Sequence, residues 1–195
     1  MKKLVILIDM DGIAADLVGK TLRLYNAEHG TAFTHAHVTD WNFDKCIPNG
    51  KAMFRYFDTP GFFLDLQPLP GMVRALKGLK KAGHELHIAS TPHVRGTCAQ
   101  DKLAWVDEHI PFIGARNTIL VRDKTMLKGD VLIDDKPETI EKYRLAWPTS
   151  ILASIAYPYN NCVKHHLNIH AHGIENFEQA WNTIGEGIHY FAEQP

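Results

Sequence analysis

The stretch Leu4-Val5-Ile6-Leu7-Ile8-Asp9-Met10-Asp11-Gly12 decides the fold. An unbroken apolar run rich in β-branched side chains suits a strand buried on both faces of a parallel sheet. It ends in two carboxylates, Asp9 and Asp11, and Gly12 then lets the backbone turn tightly. Functional groups of open α/β sheets gather at the carboxyl ends of the strands, so two acids placed there are poised for chemistry. An Asp in such a place is often only a helix cap, and Asp16 fits that plainer role. The acids before a glycine also resemble a calcium loop. That pattern needs a leading helix, a third early acid and a closing glutamate. Here a strand leads, the glycine comes too early, and Lys20 stands where the glutamate belongs. A Gly-x-Gly-x-x-Gly dinucleotide fingerprint is absent.

Working outward, the spacing predicts a helix over residues 16–29, with Leu17, Thr21, Leu24 and Tyr25 near one face and Gly30 as its stop. Residues 31–48 are irregular, and a second short helix is expected over 51–58 before Pro60. With no strand pattern between residues 12 and 84, this insert reads as a compact helical cap. The expected division is a core of residues 1–15 and 62–195 and a cap of residues 16–61. Beyond the Pro-rich crossing at 60–71, a helix carries Met72, Val73, Leu76 and Leu79 and stops at Gly83. Strands follow at 85–89, 118–121, 130–133 and 150–155. Between them lie helices near 97–109, with Leu103, Val106 and Ile110 inward, and from Pro137 to about Leu145. A last helix starts at Asn176, with Gln179 as its capping partner and Phe177, Trp181, Ile184 and Phe191 as its buried stripe. Such alternation marks an α/β fold, a three-layer Rossmann-like parallel sheet.

Bulk properties narrow the class. A chain of 195 residues can bury one main core and still carry a small accessory unit. Lys and Arg number 21 against 22 Asp and Glu, so nothing draws the chain to a nucleic-acid polymer or a membrane surface. No apolar run reaches the ~20 residues of a membrane span, and the N-terminus does not read as a signal peptide. Cys46, Cys98 and Cys162 are odd in number and widely spaced, and Cys46 and Cys98 have no motif support as nucleophiles. A reduced, cytoplasmic setting fits them best. His165, His166, His170 and His172 are dense, but no acid or cysteine completes a zinc spacing, so that segment reads as a polar loop.

Four successive strands end in Asp9 with Asp11, Ser90 with Thr91, Lys124, and Asp134 with Asp135. Right-handed crossovers in a parallel sheet bring these ends to one edge. Four carboxylates cannot sit together unpaired, and Lys124 alone cannot neutralise them. Oxygen-only donors favour Mg²⁺ together with a phosphate-bearing substrate.

This set resembles the haloacid dehalogenase superfamily of aspartate-nucleophile phosphatases. The strings DMDGIAAD, PGFFLDLQPLPG, STP, VRDKT and GDVLIDDKP, in this order, are similar to those of the 5'(3')-deoxyribonucleotidases. The resemblance covers most of residues 3–137. It implies that Asp9 attacks phosphorus to give an aspartyl-phosphate and that Asp11 acts as general acid and then base. It implies Mg²⁺ on Asp9, the main-chain carbonyl of Asp11, and Asp135, with Asp134 direct or through water. Ser90, the Thr91 N–H and Lys124 would hold the phosphate oxygens. Phe57 would pack on the nucleotide and Leu17 would close the base pocket, where relatives often carry Phe. Trp41 would take a second aromatic place, with Arg122 and His93 reaching in from the rim. The implied substrate is a nucleoside monophosphate, preferably a pyrimidine deoxynucleotide, and a homodimer is compatible. A phosphatase for sugar phosphates or other small metabolites, and a phosphate-binding module without turnover, remain the alternatives.

Overall fold

The computed structural model describes residues 2–194; Met1 and Pro195, the end residues of the expected core, lie outside them. Six parallel strands form one sheet: β1 Val5–Ile8, β2 Glu85–Ser90, β3 Thr118–Leu120, β4 Val131–Ile133, β5 Ile151–Ile155 and β6 Ile169–Ala171. Their order is β3-β2-β1-β4-β5-β6. Five α-helices accompany them: α1 Leu17–His29, α2 Met72–Lys81, α3 Cys98–His109, α4 Pro137–Ala146 and α5 Phe177–Glu193.

Alternation along β1 divides the core. Leu7 packs with Ala89, Leu132, Ile140, Tyr143 and Leu152 on the α4 side. Ile6 and Ile8, both fully buried, point into the larger cluster with Leu76, Trp105 and Trp181. Each such side chain contributes about 1.5–3 kcal/mol over its exposed state. Trp181 also ties α5 to the loop after β1, its Nε1–H donating to Ile13 O at 3.2 Å.

The chain leaves and rejoins the sheet side at one place. Asp16 N donates to Gln67 O and Leu69 N to Ala14 O, both at 2.9 Å. Between these crossings lie α1 and three 3-10 segments, His35–His37, Phe43–Lys45 and Gly50–Asp58. Asp16 caps α1 by accepting from Gly19 N, and Gly30 ends it in the left-handed conformation. Val18, Leu22 and Tyr25 are its buried apolar residues, whereas Leu24 is exposed. The helix expected at 51–58 is instead a 3-10 segment. Asn49 before it is left-handed and supplies no side-chain cap, so a regular first turn is not secured.

Two further expectations are corrected. The histidine segment is not simply a polar loop. It contains β6, in which Ile169 and Ala171 are buried and alternate with half-buried His170, a strand period masked by its brevity. On α3 the inward residues are Cys98, Asp101, Lys102, Trp105 and Val106, while Leu103 is only half-buried. No helix among the described residues is long and apolar enough to cross a membrane.

Candidate active site

β1 lies between β2 and β4, where the strand order reverses, the usual crevice of open α/β sheets. Ile8 pairs with both Ile88 and Ile133, so the residues just beyond these strands are brought level. Asp9 continues the ladder, donating its N–H to Ile133 O at 2.8 Å.

Asp9 Oδ1 accepts from Met10 N at 2.8 Å and lies 2.7 Å from Lys124 Nζ. Lys124 reaches the site from the turn after β3 and also donates to Asp134 Oδ2 at 2.5 Å. Asp134 Oδ1 in turn accepts from Lys136 N at 2.9 Å. Burial opposes the Lys124 charge, but Asp134 and Asp9 outweigh it and hold the ammonium well above the usual lysine range. Burial pushes Asp134 up to about 6 against the pull of Lys124. Asp135 is raised as well, by burial first and then by Asp9 and Asp134.

Asp9, Asp134 and Asp135 each offer a carboxylate oxygen within 4.8 Å of the others, and all three are buried. Asp135 Oδ1 is buried without a hydrogen-bond partner. Its other oxygen accepts from the Tyr159 hydroxyl at 2.5 Å. An orphaned buried oxygen within an all-carboxylate set fits a hard divalent cation such as Mg²⁺. Gly12 makes the close approach possible. With φ +77°, a Cβ there would fall 2.3 Å from Asp135 Oδ2. Tyr157 supports the same turn, its hydroxyl donating to Gly12 O at 2.7 Å, and stacks on Tyr159 with centroids 4.9 Å apart.

Asp11 Oδ2 is held at 2.6 Å by Nζ of fully buried Lys102. Burial raises the Asp11 carboxyl above its usual range, Lys102 opposes this, and Asp9 adds to it.

These groups floor a cavity of about 370 Å³ whose lining includes Asp9, Asp11, Thr91, Lys124 and Asp134. Leu17, Trp41 and Phe57 stand on its walls, and His93, Arg122 and Lys136 also line it. Asp135 lines an adjoining apolar recess with Leu17, Trp41, Phe57 and Tyr159. Trp41 meets Tyr159 edge-on at 5.5 Å, and Lys136 Nζ lies 5.7 Å from its ring centre. His93 Nε2 pairs with Asp58 Oδ1 at 2.7 Å, joining the loop after β2 to the insert.

Ser90 is absent from the cavity lining, unlike its neighbour Thr91 and Lys124. It is fully buried, and its Oγ accepts from Lys102 at 2.8 Å. Thr91 is at the cavity, its hydroxyl donating to Val121 O at 3.0 Å. Lys102, Tyr157 and Tyr159 carry no motif in the sequence. The one available signal was Lys102 itself, a charge on the inner stripe of α3 between Cys98 and Trp105.

Residues 3–185 match the family described as "5' nucleotidase, deoxy (Pyrimidine), cytosolic type C protein". The 5'(3')-deoxyribonucleotidase of Bacillus subtilis is 29% identical over 143 residues, 73% of this chain and 81% of that one. The cytosolic-type 5'(3')-deoxyribonucleotidase of Homo sapiens is 29% identical over 140 residues, 67% of this chain and 70% of that one. Among solved structures, a conserved haloacid dehalogenase-like protein from Agrobacterium tumefaciens superposes with a TM-score of 0.58 at 13% identity. That match covers 97% of this chain and 99% of the other, a likeness of fold.

Proposed function

The chain belongs to the family of the 5' nucleotidase, deoxy (pyrimidine), cytosolic type C proteins, and from that premise we propose a phosphatase specific for deoxyribonucleoside monophosphates, working through an aspartyl-phosphate on Asp9. The observation that carries this reading is the Asp9 carboxylate at the central strand end, 2.7 Å from Lys124, with Asp11 two residues on. Lys124 and the Met10 N–H engage Asp9 Oδ1 and leave Oδ2 for in-line attack on phosphorus. Asp11 gives a proton to the departing nucleoside oxygen and takes one from the water that hydrolyses the acyl phosphate. Lys124 and the Thr91 main chain cradle the charge on the phosphoryl oxygens, with Ser90 behind them. Asp9, Asp134 and Asp135, with the main-chain oxygen of Asp11, would hold Mg²⁺, which when bound supplies positive charge to the phosphoryl group.

Trp41, Phe57 and Leu17 give the cavity apolar walls, which suit a nucleobase better than the polyhydroxy body of a sugar phosphate. The cap over the cavity is then the insert of residues 16–61, and three unpaired cysteines suit a cytoplasmic setting. The test is a panel of phosphomonoesters assayed with Mg²⁺. Pyrimidine deoxynucleotides such as dUMP and dTMP are expected to have the highest kcat/KM. Faster turnover of sugar phosphates would replace the substrate assignment, and no turnover of any ester would refute the enzyme.

A further inference from the structure

Lys102 is the one fully buried lysine among the described residues, and burying an ammonium is costly unless every N–H finds an acceptor. Its Nζ has three: Asp11 Oδ2 at 2.6 Å, Ser90 Oγ at 2.8 Å and Thr91 O at 2.9 Å. Those three bonds use all the donors that an ammonium has. The Phe63 ring closes over it, 5.2 Å from centroid to Nζ. Lys102 therefore has no N–H left for a phosphate, and it joins the ends of β1 and β2 from below the cavity. On Asp11 the consequence is asymmetric. Oδ2 is taken, while Oδ1 is buried with no partner in the protein.

We propose that Lys102 is the positioning residue for Asp11: by occupying Oδ2 it assigns the transferable proton to Oδ1 and fixes the direction in which that oxygen works. This inference rests on the phosphatase reading above. In the first step an Asp9 oxygen bonds to phosphorus as the ester P–O bond breaks. The bonding pair goes to the leaving oxygen, which takes the proton from Asp11 Oδ1. In the second step Asp11 Oδ1 takes a proton from water as the water oxygen attacks phosphorus, releasing phosphate and restoring the Asp9 carboxylate. Oδ2 accepts from Lys102 throughout, because a carboxyl group protonated on Oδ1 still offers a carbonyl oxygen at Oδ2. Lys102 never needs to move.

The experiment compares an ester that needs a proton on its leaving group with one that does not. Wild type, Lys102→Met, Asp11→Asn and the double variant are assayed with Mg²⁺ on dUMP and on p-nitrophenyl phosphate, whose leaving group departs unaided. Lys102→Met is expected to lose about 100-fold in kcat/KM on dUMP, with less than about 10-fold lost on the nitrophenyl ester. In the Asp11→Asn background the same change is expected to cost little more, since both variants remove one function. Equal losses on the two esters, or fully additive losses in the double variant, would overturn the proposal in favour of simple structural support. If Lys102→Met does not fold, Lys102→Arg keeps a buried cation while displacing the carboxylate, and the same pattern is expected of it. Should wild type hydrolyse another alkyl phosphate but not dUMP, the substrate reading fails and that ester takes its place in the comparison. No turnover of any ester overturns both.

Discussion

The Tyr159 hydroxyl lies 2.5 Å from Asp135 Oδ2 and donates to it, so a residue beyond β5 decides which oxygen of Asp135 remains free. Outer partners of this kind orient ligating carboxylates, and their loss typically costs about 10–100-fold in metal affinity. Tyr159→Phe keeps the ring and its stack on Tyr157 while removing the donor. Its Mg²⁺ dissociation constant, from calorimetric titration, is expected to rise by about 10-fold or more. An unchanged constant would show that Asp135 needs no such orientation.

Asp9→Asn removes the proposed nucleophile and one charge of the buried trio while preserving shape. Turnover is expected to fall by about 10⁴-fold or more, with the circular-dichroism spectrum intact. Chelation of divalent ions should silence the wild type reversibly, and added Mg²⁺ should restore it.

Trp41 and Phe57 share a wall but have different surroundings. Trp41 is 37% exposed, whereas Phe57 is 8% exposed and packs against Phe54, Phe62 and Phe63. Trp41→Ala is expected to raise KM for dUMP by about 10-fold, the equivalent of ~1.4 kcal/mol and within the range of base stacking, with melting temperature little changed. Phe57→Ala should instead cost about 3 kcal/mol of stability, read by urea unfolding. Identical effects of the two variants would refute this division.

His84 is buried, and its Nδ1 accepts from Leu4 N at 3.2 Å. Burial, reinforced by nearby His189, holds its imidazole below the usual value of about 6.5. The unfolded chain therefore takes up this proton first as pH falls. The stability that neutral His84 confers is complete above about pH 6.5 and is lost on acidification toward its lower folded value. His84→Gln should flatten this dependence. Melting curves of both proteins between pH 7.5 and pH 5.5 should converge toward acid; parallel curves would exclude His84 as the source.

The parts of this architecture that were legible in the sequence are those written in local strings. β1 announced itself because five consecutive apolar residues end in acids, and parallel pairing of β1 with β2 and β4, and of β2 with β3, then brings Asp9, Lys124 and Asp134 together. β6 was not legible, because three residues with His170 in the middle cannot display a period. Lys102 stayed hidden because helix faces are read from apolar spacing, and a buried cation breaks that rule. Its justification is Asp11, 91 residues away in sequence. Tyr159 meets Asp135 only because the chain folds back after β5, a contact no local pattern encodes.

The paired crossings at Asp16–Gln67 and Leu69–Ala14 also bear on how such a protein can diversify. Because the insert departs and returns side by side, lengthening or replacing it adds little loop-closure entropy and leaves the pairing of β1 with its neighbours undisturbed. The whole segment can therefore be exchanged as a cassette while the strand ends that carry Asp9 and Asp134 keep their register.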